Sequence, residues 1–329
     1  MRTRGIEKKR IAGERPRGFS LIELLIALVI LLSVAGIVMS GITEMSLRQA
    51  SISNRTEMHS SVRSATEVLQ QEIGQAGRIA LPTTGASAGP TKMTTAVALG
   101  ADPNVAVSAV VTLDSVAGVY PGMLLVVDTG DSEETVSVTS IAGSTITGKF
   151  SLAHPLNVST NSVPVRIDGV YSSGIVPQAV ANGSDGFHLK LYGDINDDGK
   201  MVYIEYFCDR NGIPATLKRS VTPIAAATPN NYEVILPNLA PNPADAACFT
   251  YDELQKGGNS YDVDVSVTLT VQAQYVDLQT HQVQQETKAL LNVSPRNIFE
   301  GYQLASGGVA DRIQPMPATV ATLLSQVPY

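Results

Sequence analysis

Tryptophan is absent, and the aromatic share of the chain is only 5%. No aromatic platform for stacking bases or glycans is therefore evident. The four histidines, His59, His154, His188 and His281, are scattered and lack metal-ligand spacing. His59 falls on a polar helical stretch and His281 in a turn, so both read as surface residues. There is no G-x-G-x-x-G, P-loop or H-E-x-x-H, which removes the usual signatures of nucleotide and zinc-protease chemistry. The adjacent acids Glu133–Glu134 and Asp197–Asp198 lie in loop-like stretches and read as solvated groups. With no catalytic set, the chain reads as a non-enzyme that requires no cofactor. Cysteine is scarce too: Cys208 and Cys248 are the only two. If their half of the chain is exported, an oxidising compartment favours a disulfide between them. The alternative is two unpaired buried thiols.

Charge is missing where it matters most. From Phe19 to Thr43 the only ionisable side chain is Glu23, and the run is long enough to cross a bilayer. Residues 1–18 form a basic leader with seven bases and two acids. Bases ahead of an apolar span place the N-terminus in the cytoplasm and the rest outside. The formal net charge is −7; without the leader, 16 bases face 28 acids, a net of −12. Such an acidic body is a poor match for nucleic acid, which is not an expected partner.

Proline is absent between Pro16 and Pro82, so one continuous helix over 19–80 is allowed. Its first part, 19–43, is the transmembrane half, with Gly36 and Gly41 as weak points. Beyond it, Ile52, Val62, Ala65, Leu69, Ile73, Ala76 and Ala80 recur at largely helical spacing, so one face should be covered by the rest of the chain.

After the Leu81–Gly89 loop the pattern turns to strands. Short β-type runs separated by Gly, Asp and Ser turns make 92–168 a small all-β insert. Residues 169–300 form a β-sheet head. In it, Phe187–Tyr192 and Met201–Cys208 flank an Asp/Gly turn. Tyr261–Tyr275 alternates apolar and polar as a half-buried strand, with Lys288–Val293 as its partner. Residues 301–329, with Pro315, Pro317 and Pro328, read as an irregular tail. The expected class is α+β: a long N-terminal helix on an antiparallel β-sheet head, with an all-β inserted subdomain.

Asp194–Glu205 fits the calcium-loop pattern of acids or amides at alternate positions, a glycine and a final Glu. Asp194, Asn196, Asp198, the Lys200 carbonyl and Glu205 would be the Ca²⁺ ligands, with Gly199 at the sharp turn. The flanks are strands, however, and an Asx-rich hairpin turn uses the same residues. Both readings stand.

The most specific stretch is Gly18-Phe19-Ser20-Leu21-Ile22-Glu23 behind the basic leader. It resembles the prepilin processing site of the type IV pilin and type II secretion pseudopilin family, without departure, over residues 1 to about 45. The resemblance implies cleavage by prepilin peptidase after Gly18 and methylation of the new Phe19 amine. It also implies that Glu23 meets the Phe19 amine of a neighbouring subunit and sets assembly register. Two other readings remain: Glu23 at headgroup level, and a secretory signal cut after Ser33-Val34-Ala35. The turn at 194–199, Val202–Tyr206, Leu217–Arg219 and Asn292–Asn297 resemble, more weakly, the head of PilW-like minor pilins. The resemblance implies a minor pilin or pseudopilin at an initiating or tip position of a type IV pilus or type II secretion pseudopilus. Implied partners are other pilins through the helix, prepilin peptidase and the inner-membrane assembly platform. The precursor would be a single-pass inner-membrane protein, its head periplasmic and later on a fibre or cell surface. The rival reading is a pilus-displayed adhesin or ligand-binding head.

Overall fold

The computed structural model describes residues 18–79, 83–84, 87–88, 91–100, 105–116, 118–167, 170–196, 198, 200–277, 280–308 and 313–326. The leader before Gly18, and Ala80, Asp197 and Gly199, lie outside them. By its internal contacts the chain divides into two units, residues 1–53 with 277–282 and residues 54–276 with 283–329. Helix α1 spans Leu21–Gln75 without a break. It ends earlier than proline alone requires, because Gly77 takes a left-handed φ of 79° and turns the chain.

The first unit holds the apolar part of α1. Every described residue from Gly18 to Met45 is exposed. An 18-residue window of α1 has a mean hydropathy of 2.9 with none of it buried. Two polar side chains inside the run satisfy themselves: the Ser33 hydroxyl donates to Val29 O and that of Thr43 to Met39 O, both at 2.8 Å. Ile52, expected on the covered face, is 65% exposed. The covered stripe begins only at Met58. Near the end of this unit the Ser51 hydroxyl donates to Asp277 at 2.8 Å.

In the second unit, Met58, Val62, Ala65, Leu69 and Ile73 form the buried stripe of α1. Steps of three and four residues keep them on one side of the helix. They pack on an antiparallel seven-stranded sheet of β10 (His188–Gly193), β11 (Val202–Asp209), β12 (Ala215–Pro223), β13 (Glu233–Ala240), β14 (Phe249–Lys256), β15 (Asn259–Gln272) and β16 (Gln285–Val293). The spatial order is β10-β11-β12-β13-β15-β14, with β16 also paired to β15. Val265, Val267, Leu269 and Val271 of β15 face the helix, as their alternation requires.

The preceding strands are β1 (Thr83–Thr84), β2 (Ser87–Ala88), β3 (Thr91–Met93), β4 (Val107–Thr112), β5 (Leu124–Val127), β6 (Glu134–Ala142), β7 (Thr145–Phe150), β8 (Val163–Arg166) and β9 (Val170–Tyr171). β1 and β2 pair with each other. β3 to β8 make their own six-stranded sheet, ordered β3-β8-β5-β6-β7-β4. A bridge from Met93 to Leu113 joins its two ends, closing it into a small barrel. The barrel's core is continuous with the head: Tyr171, Tyr192, Tyr203 and Leu323 pack in the same cluster as Met123, Leu125 and Phe150. β10 and β11 are therefore buried on both faces, not on one.

The tail is not irregular. It carries α2 (Ile298–Ser306), β17 (Ile313–Gln314), parallel to β9, and α3 (Ala318–Leu324). Pro317 does not break a helix but opens one, at the position where a missing N–H costs nothing. Val320, Leu323 and Leu324 of α3 are buried, which is what holds so short a helix.

Candidate processing and assembly site

Gly18, Phe19 and Ser20 precede the helix in non-helical backbone. A side chain at Gly18 would meet no atom within 4 Å, and Phe19 is 84% exposed. Among the described residues, nothing packs against the position a Gly18 side chain would take. Ser20 and Glu23 stand in capping-box spacing: the Ser20 amide donates to Glu23 Oε2 at 3.4 Å, and Ser20 O accepts from Leu24 N at 3.1 Å. In a lone chain, this cap is what Glu23 does. Its carboxylate remains exposed, so it can accept a cation from outside.

Of the Asp194–Glu205 stretch, the described residues up to Met201 lie between the paired strands β10 and β11, and the rest belong to β11. Asp194 is buried and its Oδ1 accepts the Asp198 amide at 3.1 Å; Asp198 Oδ1 accepts the Lys200 amide at 3.0 Å. These are Asx-type turn bonds. Asn196 and Asp198 are exposed. Glu205 is not brought to them. It lies three residues into β11, about 10 Å along the strand, where it pairs in register with Lys190. Lys190 Nζ is 3.7 Å from Glu205 Oε1, and the Tyr203 hydroxyl donates to Oε2 at 2.9 Å. Among the described residues, no group of three His, Cys, Asp or Glu could hold a metal ion. Cys208 of β11 and Cys248, just before β14, are joined as a disulfide.

Several polar clusters escaped the sequence reading. Glu72 sits on the buried stripe of α1, where it accepts bonds from the Tyr206 hydroxyl and from Arg219, whose Nε lies at 3.2 Å. Burial, and then the Glu72 charge, push the Tyr206 pKa far above its ordinary value. Burial works against the Arg219 charge, yet the bonds to Glu72 outweigh it and raise that pKa. Its one sequence signal was an acid between Leu69 and Ile73 on the apolar face. His154, fully buried, is held between Asp128 (3.1 Å) and Glu134 (2.7 Å). Asp262 is fully buried on β15 opposite Glu253. Burial, aided by the Glu253 charge, raises its pKa to about 7, against one bond from the Ser173 hydroxyl. Burial also lowers the Lys190 pKa, against the pull of Glu205.

Residues 15–39 match the family model of the prokaryotic N-terminal methylation motif. The chain matches no curated protein and no solved structure. Motif and apolar helix together give it a type IV pilin-like N-terminus.

Proposed function

We propose that this pilin-like N-terminus makes the chain a minor pilin or pseudopilin: a structural subunit, cut between Gly18 and Phe19 by prepilin peptidase, methylated on the Phe19 amine, and assembled helix-first into a type IV pilus or type II secretion pseudopilus. The observation that carries this reading is the bare apolar face of α1 behind the processing motif. Helix residues from Leu21 to Met45 are all exposed, and an apolar surface that size needs lipid or other helices to cover it. Lipid covers it in the precursor, which spans the inner membrane once with its head in the periplasm. Neighbouring subunit helices cover it in the fibre.

Glu23 gains its role on that transfer. Between packed helices a lone carboxylate and a lone ammonium are each costly, while the pair is tolerable. The Glu23 carboxylate therefore selects the axial position at which the methylated Phe19 amine of a neighbour lies beside it. The large head with its second sheet favours an initiating or tip position over a repeated shaft position, because bulk limits close stacking. Glu23→Ala tests the reading. The variant should still be cleaved and methylated, yet be lost from sheared fibres or the pseudopilus and accumulate in the inner membrane. Undiminished incorporation would rule out the register role.

A further inference from the structure

The face of β10 and β11 turned away from α1 carries a second, unassigned feature. Between β11, β12, the loop that follows β12 and the end of α3 lies a cavity of about 260 Å³. That is just under the roughly 300–1,000 Å³ typical of drug-sized sites, and suits one small ring. Its floor is the Glu205 carboxylate, 1% exposed. Glu205 Oε2 is satisfied by Tyr203, but among the described residues Oε1 has no hydrogen-bond partner, Lys190 Nζ standing 3.7 Å away. A buried carboxylate oxygen left in that state is costly and calls for a donor.

The walls decide which donor. Ser220, Thr228, Asn231 and Gln326 bring hydroxyls and amides, and Tyr232 brings a ring. The Lys190 ammonium, 3.7 Å from Glu205, already balances its charge, so a cationic ligand gains little. An anion would face the carboxylate, with no arginine in the lining. An apolar ligand would strand the amides. What remains is a neutral molecule rich in hydroxyls, with a C–H face to lie on Tyr232. The loop is set in advance: the Asn230 amide donates to Thr222 Oγ1 (2.9 Å), its carbonyl accepts from Ser220 (2.7 Å), and its side chain donates to Val221 O (2.6 Å). The Tyr232 ring packs on Phe207 with centroids 6.0 Å apart.

We propose that this cavity binds a neutral saccharide ring, with a sugar hydroxyl donating to Glu205 Oε1, the Asn231 and Gln326 amides bonding further hydroxyls, and Tyr232 under the ring. The site belongs to the head alone and stands or falls independently of fibre assembly.

The test uses the full chain in lipid nanodiscs, free of sugar-based detergent, and saturation-transfer NMR. The probes are D-glucose, D-galactose, D-mannose and N-acetyl-D-glucosamine at millimolar concentration, with tetramethylammonium and acetate as charged controls. Transfer to the ring protons of at least one sugar is expected, and at least tenfold weaker binding in Asn231→Ala and in Tyr232→Leu, two loop variants with unchanged circular dichroism. Absence of transfer from all four sugars, equal binding in both variants, or transfer from a charged control alone would overturn the proposal.

Discussion

Glu72 and Asp262 are both buried carboxylates, and their surroundings give them opposite fates. Glu72 has a guanidinium and a phenol to receive it. Removing it strands Arg219 in a partly buried position, and breaking such a pair typically costs about 3–5 kcal/mol. Glu72→Ala should lower stability by that order in urea titrations of the chain. Among the described residues, Asp262 accepts a bond from Ser173 on Oδ2, and Oδ1 is unsatisfied. Its folded pKa of about 7 lies well above the ordinary carboxylate value of 3.8. The folded chain thus holds a proton that the unfolded chain releases between these limits. Stability contributed by this group falls as pH rises through that window, and above it the ionised side chain carries a penalty of roughly 4 kcal/mol. Asp262→Asn should therefore raise the melting temperature at about pH 8 and do far less at about pH 5. An equal shift at both would show that Asp262 ionises freely. Residues of this kind were illegible in the sequence for a physical reason. Lys190 meets Glu205 only because the β10–β11 register puts them opposite each other. Asp262 sat on the polar side of an alternating strand, and nothing local said that this side is covered as well.

Elements were easier to read where their period dominates. The helix, the β10–β11 hairpin and the long strand with its partner all followed from spacing of 3.6 or 2 residues. α2 and α3 did not, because prolines were read as breaks, and short helices owe their existence to what they pack on. The exit from α1 shows a constraint that glycines alone hint at. Gly77 N donates to Tyr192 O at 2.9 Å, Asp194 N to Arg78 O at 2.7 Å, and a Cβ on Gly174 would run into the backbone of Gly77. Gly174→Ala should destabilise by about 3 kcal/mol or more, since backbone cannot step aside; thermal melting of the purified variant measures it. The disulfide closes a loop with a sequence separation of 40 residues. On the chain-entropy model that contributes about 4 kcal/mol, which Cys208→Ser with Cys248→Ser should remove in the same titrations.

At the scale of the whole molecule the two units answer to different solvents. The second buries its apolar groups in two large cores. The first leaves its apolar side chains bare, from Phe19 at 84% to Met45 at 71% exposure. A water-soluble life does not suit such a surface, whereas membrane and helix bundle in turn do. The proposed processing at Gly18 would link the two, because it would create the amine that Glu23 is proposed to meet. The proposed assembly therefore depends on where the mature chain begins. Mass spectrometry of the N-terminal peptide from the protein made in its own cells measures that directly. A mature chain starting at Phe19 and carrying one methyl group on its α-amine is the predicted result. A start at Gly36, behind Ser33-Val34-Ala35, or an intact leader in assembled material, would contradict it.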